Sequence, residues 1–235
     1  AQSIYYVHAF MQLSPDDRDN VNFIVPTGNF GNVFAGWMVH QMGLPVDRFT
    51  VATNQNDILF RFFNTGEYKL DGVDPSFAPS MDIEVASNFE RFLFYHLDCD
   101  AERLVSFMRD FAETGRASLD EPPGDDVFEA ATIDTDATLA TIAAVHDEFD
   151  YILDPHSAVG VAAARRYLDD HPGADPLVCV ATAHPAKFPE AVGRAVPGVM
   201  PRHETLDALT GLEERKAVIS ADLDAVKDAL VAGLT

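Results

Sequence analysis

VPTGNFGNVFAGW, residues 25–37, sets two glycines, two asparagines, a threonine and a proline between apolar runs. NFIV leads into it and an apolar stretch through Met38 and Val39 follows, so it reads as a strand, a tight polar turn and the start of a helix near Asn32. Glycine frees the backbone for left-handed angles and for close approach. A turn of this kind aligns successive N–H groups into a concave nest, and the helix adds its positive end. Together they suit a phosphate dianion without any basic side chain. Composition alone favours a plainer alternative, an ordinary strand-to-helix turn with asparagine as N-cap, because short glycine patterns are frequent by chance. The Gly28–Gly31 spacing is G-x-x-G, neither GxGxxG nor a phosphate loop ending in GK[ST].

Working outward, residues 1–13 form an amphipathic helix ended by SPDD, and VNFIVPT is a buried strand. The helix from Asn32 to Met42 stops at Gly43 and Pro45. FTVATN (49–54) is a second strand; NDILFRFFNTG is a short helix capped by Asn56 or Asp57 and closed by Gly66. Residues 66–82 form an irregular excursion, then Glu84 to Thr114 is helical with a break near Asp98. EPPGDD (121–126) is a loop. TDATLATIAAVHDEF is a helix capped by Thr135 or Asp136, and DPHSAVGVAAARRYLDDH is a closely packed helix with Pro155 in its first turn. PLVCVAT (176–182) is the third strand, HPAKFPEAV turns into a helix, and 204–232 is mostly helical. The expectation is an α/β fold, a parallel-sheet core with flanking helices and a mostly helical insertion about 66–130.

The 235 residues carry 47% hydrophobic and 23% charged side chains, enough for a sizeable core. No apolar run nears the ~20 residues of a membrane span, and AQSIYYVHAF lacks the features of a signal peptide. A cytoplasmic protein is the expectation. The net charge of −22, with four lysines among sixteen basic residues, argues against nucleic acid and anionic membrane as partners. Cys99 and Cys179 have neither metal nor disulfide spacing and read as reduced, buried thiols; no metal site is expected.

Ligands of open parallel sheets lie beyond the carboxyl ends of strands. The loop at 28–32 and the segment Ala181-Thr182-Ala183-His184-Pro185-Ala186-Lys187-Phe188 can therefore face one crevice. Thr182 offers a hydroxyl, Lys187 a cation and His184 an acid or base; each also has a plain reading, as a cap, a solvated charge and a turn histidine. Asp154-Pro155-His156-Ser157 brings triad residue types together, but triads assemble from distant segments and no G-x-S-x-G elbow is present, so a hydrolase is rejected. Asp82, Glu84, Glu90 and Arg91 read as a solvated helix face, with Asn88 and Arg91 within reach of the crevice.

Taken together, VPTGNFGNVFAGW, MGLPVDRFTVATNQNDILFRFFNTGEY, SMDIEVASNFERFLF, DATLATI, ILDPHSAVGVAAA and ATAHPAKFPEAV resemble, in order, the threonine synthase family, pyridoxal-phosphate enzymes of the tryptophan-synthase-β-like (fold-type II) group. The resemblance implies that Gly28, Asn29, Phe30, Gly31 and Asn32 hold the cofactor phosphate and that Thr182 lies by the pyridine nitrogen. A hydroxyl there does not keep the ring protonated, which moderates the electron sink. The implied reaction takes O-phosphohomoserine and water to threonine and phosphate. It proceeds by proton removal at Cα and Cβ, loss of phosphate from Cγ and addition of water at Cβ. Asn88, Arg91, His156 and Lys187 are the candidates for gripping the substrate phosphate.

The resemblance also implies a Schiff-base lysine upstream of Ala1. Lys69, Lys187, Lys216 and Lys227 are the lysines here, and none stands in that motif. The chain is thus expected to be a carboxyl-terminal portion of a monomeric or dimeric parent. Alone it should be inactive and bind pyridoxal phosphate weakly and non-covalently, with no catalytic residue of its own. Two alternatives stay open: a serine or threonine dehydratase of the same fold, and a non-catalytic synthase-like protein that binds a phosphorylated metabolite.

Overall fold

Val21–Pro26 is buried at every position, which only a strand covered on both faces can be. In the computed structural model, which describes residues 1–123, 127–173, 176–214 and 216–233, this strand is β1 and lies inside the main sheet. The chain divides into two units, Ala1–Pro201 and Arg202–Thr235.

In the first unit the order is α1 (Ser3–Gln12), β1 (Val21–Pro26), α2 (Gly31–Gln41), β2 (Val46–Thr53), α3 (Ile58–Thr65), β3 (Glu67–Lys69), α4 (Phe89–His96), α5 (Ala101–Thr114), β4 (Arg116–Ser118), β5 (Phe128–Thr132), α6 (Thr135–Phe149), α7 (Pro155–Asp170), β6 (Leu177–Cys179) and α8 (Pro189–Ala195). Among the described residues the main sheet has the order β5-β2-β1-β6, and every pairing is parallel. β3 and β4 form a separate antiparallel pair. The second unit holds α9 (Glu204–Asp207) and α10 (Leu223–Gly233), with turns between them.

Alternation along β1 distributes its side chains. Phe23 and Val25 enter an aromatic core built with Phe49, Phe62, Phe89, Phe92, Phe128 and the helices α1 to α5. Ile24 faces the other way, against Ala52, Ile133 and the small residues Val159, Ala162 and Ala163 of α7. Small side chains let α7 approach closely: a Cβ on Gly160 would lie 2.9 Å from Pro26 Cγ.

The structure departs from the sequence reading in several places. β5 was not expected, and it moves the end of the 66–130 excursion: that region holds α4 and α5 but also β3, β4 and a strand of the main sheet. FEAAT has modest strand propensity, and its ladder with β2, Phe49 opposite Phe128 through Thr53 opposite Thr132, supplies the rest. The helix expected from Glu84 starts only at Phe89, and the break falls at Asp98 and Cys99, both at positive φ (56° and 60°). Asp134, rather than Thr135 or Asp136, caps α6, its Oδ1 accepting from Ala137 N at 2.7 Å. α2 begins at Gly31 with Phe30 as its N-cap residue, not at an asparagine cap. β6 is shorter than PLVCVAT, and the EPPGDD loop runs into residues 124–126, outside the described ones.

Asp82 is not on a solvated helix face. Its carboxylate accepts from Asn54 (2.7 Å), Asn56 (3.0 Å) and both the N–H (2.8 Å) and hydroxyl (2.7 Å) of Ser76, tying the excursion to the end of β2. Cys99 is exposed rather than buried; Cys179 is half-buried, and burial pushes its thiol up to about 11. Among the described residues no helix is long and apolar enough to cross a membrane, and no cluster of metal-ligating side chains is present.

Candidate functional site

The site is built from two loops at the carboxyl ends of neighbouring strands. β1 ends at Pro26, and β6, paired beside it with Ile24 opposite Cys179, ends three residues before Thr182. Val180 N donates to Ile24 O at 3.0 Å and carries the ladder one step further, so residues 27–32 and 181–187 leave the sheet side by side. The two segments expected to face one crevice thus follow adjacent, parallel strands.

Residues 28–32 make an unusual turn. Thr27 closes the ladder, its N–H on Ala52 O at 2.8 Å and its hydroxyl on Val25 O at 2.6 Å. Phe30 then takes left-handed angles (φ 63°, ψ 1°), a conformation that costs a non-glycine residue about 1–2 kcal/mol. Its ring is fully buried, 5.4–6.3 Å from the rings of Phe63, Phe89, Phe92 and Phe128. Burial of a phenylalanine is worth roughly 2–3 kcal/mol, which outweighs the strain and fixes the turn.

The N–H groups of Gly28, Asn29, Phe30, Gly31, Asn32 and Val33 find no acceptor among the described residues; the next donor along, Phe34 N, bonds Phe30 O at 3.0 Å. Gly28, Gly31 and Asn32 are half-buried and Asn29 is exposed, so the donors of these four residues lie on open positions, while Phe30 and Val33 are buried. Backbone donors in such a state call for an acceptor from outside the chain. Six successive donors at a left-handed turn running into a helix N-terminus form an anion nest. A phosphate dianion, as carried by pyridoxal phosphate, fits this donor set.

The loop is held from three sides. Tyr6 donates its hydroxyl to Asn32 Oδ1 at 2.9 Å, with Asn32 O at 3.0 Å; burial pushes this phenol far above its ordinary value, so it stays a neutral donor. Asn29 O accepts from Asn88 N at 3.0 Å and Asn88 Nδ2 at 3.1 Å, and Asn29 Oδ1 accepts from the Ser87 hydroxyl at 3.2 Å. Beneath Gly28 lies the Ser80 peptide, so close that any Cβ at position 28 would collide with the Ser80 carbonyl oxygen.

The four residues expected near a substrate phosphate are placed differently from one another. Asn88 spends its amide on the loop backbone and accepts from Arg91 Nη1 at 3.3 Å. Arg91 lies exposed over the Phe34 ring, 4.6 Å from its centroid. Lys187 is exposed, 5.9 Å from the Phe188 ring. His156 is 5% exposed and has both ring nitrogens engaged, Nε2 accepting from Ser80 N at 3.2 Å and Nδ1 facing Asp154 Oδ1 at 3.0 Å. Accepting at Nε2 fixes the neutral tautomer with the proton on Nδ1. Both ring nitrogens of His156 are thus occupied within the chain.

Asp154, His156 and Ser157 do touch, but not as a nucleophilic triad. Ser157 Oγ donates to Asp154 Oδ2, not to the imidazole, and accepts from Thr182 N at 3.2 Å. Burial pushes the Asp154 carboxyl up, yet hydrogen bonds from the His156 and Ser157 side chains and from the His156 N–H outweigh it and hold Asp154 below its ordinary value. Sequence reasoning rejected a hydrolase here and missed what the motif holds. Ser80, Ser87 and Tyr6 carried no sequence signal for their parts, since each acts through a long-range contact.

Residues 157–230 match the family model described as "Threonine synthase, C-terminal". Threonine synthase of Pseudomonas aeruginosa is 41% identical over 233 residues, covering 97% of this chain and 49% of that protein. Among solved structures, a pyridoxal-phosphate-bound threonine synthase from Brucella melitensis superposes with a TM-score of 0.86 at 41% identity, covering 97% of this chain and 49% of that one. The yeast enzyme superposes at 0.87 and 33% identity, covering 99% and 51%. The chain spans about half the length of the relatives it matches. By sequence and by superposition across nearly its whole length, this chain belongs to the threonine synthase family.

Proposed function

We propose that this chain carries the phosphate-and-ring half of a pyridoxal-phosphate site in a threonine synthase that turns O-phosphohomoserine and water into threonine and phosphate. The observation that carries the reading is the run of six N–H groups at 28–33 with no acceptor among the described residues, on the loop that follows β1, while Thr182 follows the neighbouring parallel strand β6. In this reading Gly28, Asn29, Phe30, Gly31 and Asn32 receive the cofactor phosphate through their backbone. Thr182 offers the ring nitrogen a neutral partner. The bound cofactor supplies an electron sink for carbanion chemistry. The chain's own residues bind and orient it: the nest fixes the phosphate, and Thr182 sets the ring without protonating it. Lys187 and Arg91, exposed beside the two loops, remain the candidates for the substrate phosphate.

In this reading the parent enzyme is a monomer or dimer of the cytoplasm acting on a small molecule; the −22 net charge of this chain argues against nucleic acid and anionic membrane as its partners. Lys69, on β3, Lys187, exposed beside Phe188, and Lys216 and Lys227 all stand outside the family's Schiff-base motif, and none is assigned that role here.

The test is titration of the 235-residue chain with pyridoxal phosphate, followed by borohydride reduction and peptide mapping. Saturable binding with no unique pyridoxyl-lysine, and no threonine formed from O-phosphohomoserine by the chain alone, is expected. A single modified lysine or substantial turnover overturns the assignment of roles. Absence of any binding overturns the cofactor reading itself.

A further inference from the structure

The side chains at the start of α7 do more than cap a helix. An ordinary cap accepts from one or two backbone N–H groups of the first turn. Asp154, 1% exposed, accepts from His156 N at 2.9 Å and Ser157 N at 3.3 Å in that way, but also from His156 Nδ1 at 3.0 Å and from the Ser157 hydroxyl. Each of those side chains then reaches a distant segment. His156 Nε2 takes Ser80 N, 76 positions away, and Ser157 Oγ takes Thr182 N, 25 positions away.

The donor logic leaves little freedom. Because Ser80 N donates to Nε2, the imidazole must present its proton to Asp154. Because Ser157 gives its only proton to Asp154, its lone pairs face Thr182. One carboxylate therefore sets two arms at once, and the arms end on two segments far apart in sequence. The first ends at the Ser80 peptide, the floor against which Gly28 is pressed. The second ends at the Thr182 amide, beyond β6.

We propose that Asp154, His156 and Ser157 are positioning residues that form a two-armed brace, setting the phosphate nest and Thr182 in fixed relation. What the brace serves rests on the pyridoxal-phosphate reading above; that the brace exists does not.

Amide hydrogen exchange resolved by NMR, on the 235-residue chain without ligand, tests the arms. Ser157→Ala should speed exchange at Thr182 by about tenfold and leave Ser80 unchanged, and His156→Phe should do the reverse, the loss of one part-buried hydrogen bond being worth up to about a factor of ten. Ser157→Thr, which keeps the hydroxyl, should restore protection at Thr182. Asp154→Asn should release both; where it does not fold, the single-arm variants decide. Equal deprotection of both amides by either arm variant, or none, overturns the brace.

Calorimetry with two probes then reads its purpose. Ser157→Ala should weaken pyridoxal phosphate about tenfold while inorganic phosphate stays within about twofold, and His156→Phe should weaken both. Identical losses for both probes in both variants would mean general loosening and sink the proposal. Wild-type chain that binds neither probe overturns the cofactor reading and leaves the exchange pattern to judge the brace.

Discussion

At the scale of single residues, Gly28 and Asp154 carry the most specific consequences. The Ser80 carbonyl occupies the space a Cβ at position 28 would need, and backbone cannot step aside as a flexible side chain can. Gly28→Ala should therefore cost about 1–3 kcal/mol of stability, as overpacking does, and abolish phosphate binding by shifting the nest. Urea unfolding and a phosphate titration on one sample measure both; unchanged binding would show that Gly28 is not part of the cradle. Asp154 links the site to pH. Its folded carboxyl lies below its ordinary value, so the stability it contributes is complete above that value and is lost as pH falls through the folded one. Stability plotted against pH should fall less steeply on the acid side in Asp154→Asn than in wild type. The difference should reach up to one proton's worth, about 1.4 kcal/mol per pH unit. Parallel acid limbs would remove the carboxylate from this role.

Among the elements, α7 and β5 show where local pattern succeeds and fails. The Pro155 start and the small-residue face of α7 were legible because both are local chemistry: proline suits a first turn, and a row of alanines with Gly160 permits close packing. A substitution weighs those terms against each other. Gly160→Ala gains about 1 kcal/mol of helix propensity, but its Cβ would lie 2.9 Å from Pro26 Cγ, and overpacking at a strand end costs about 1–3 kcal/mol. Packing should win, lowering the thermal midpoint; a rise would mean that α7 can retreat from β1. β5 escaped notice for the opposite reason. Phe128–Thr132 has one strongly strand-favouring aromatic followed by Glu, Ala and Ala, and its partners lie nearly 80 positions earlier. Thr50 Oγ1 to Glu129 Oε1 (2.6 Å) and Arg48 to Glu129 (3.5 Å) hold it, and neither contact can be read from the segment itself.

For the whole molecule, the governing quantity is charge. Thirty-eight acidic residues against sixteen basic ones leave −22, and the folded chain gathers that charge into a smaller volume than the unfolded one. Self-repulsion then opposes folding, and salt screens it over a length that falls from about 10 Å at 0.1 M to about 3 Å at 1 M. Raising sodium chloride from 0.1 to 1 M should lift the thermal midpoint by several degrees, against the small or negative effect expected where surface ion pairs dominate. A falling midpoint would assign more weight to bridges such as Arg165–Glu148, 2.7 Å apart. Against such a field the proposed phosphate site gains from being made of backbone: N–H donors in a nest act at contact distance and are not outvoted by distant carboxylates.

The sequence by itself determined the alternation of strand and helix, the polar turn after the first strand, the pairing of that turn with the Thr182 segment at the ends of parallel strands, and the family. All of these rest on periodicity, on turn chemistry and on residues adjacent in the chain. Only the tertiary structure decided that His156 meets Ser80 and Asp154, that Ser157 links Asp154 to the Thr182 amide, and that Ser80 lies under Gly28. Those facts are contacts between segments 25 to 76 positions apart, and one-dimensional pattern carries no information about which buried donor meets which acceptor. Folding decides it, because a buried carboxylate must collect every donor within reach, and the donors within reach are chosen by the packing of α7 against the sheet.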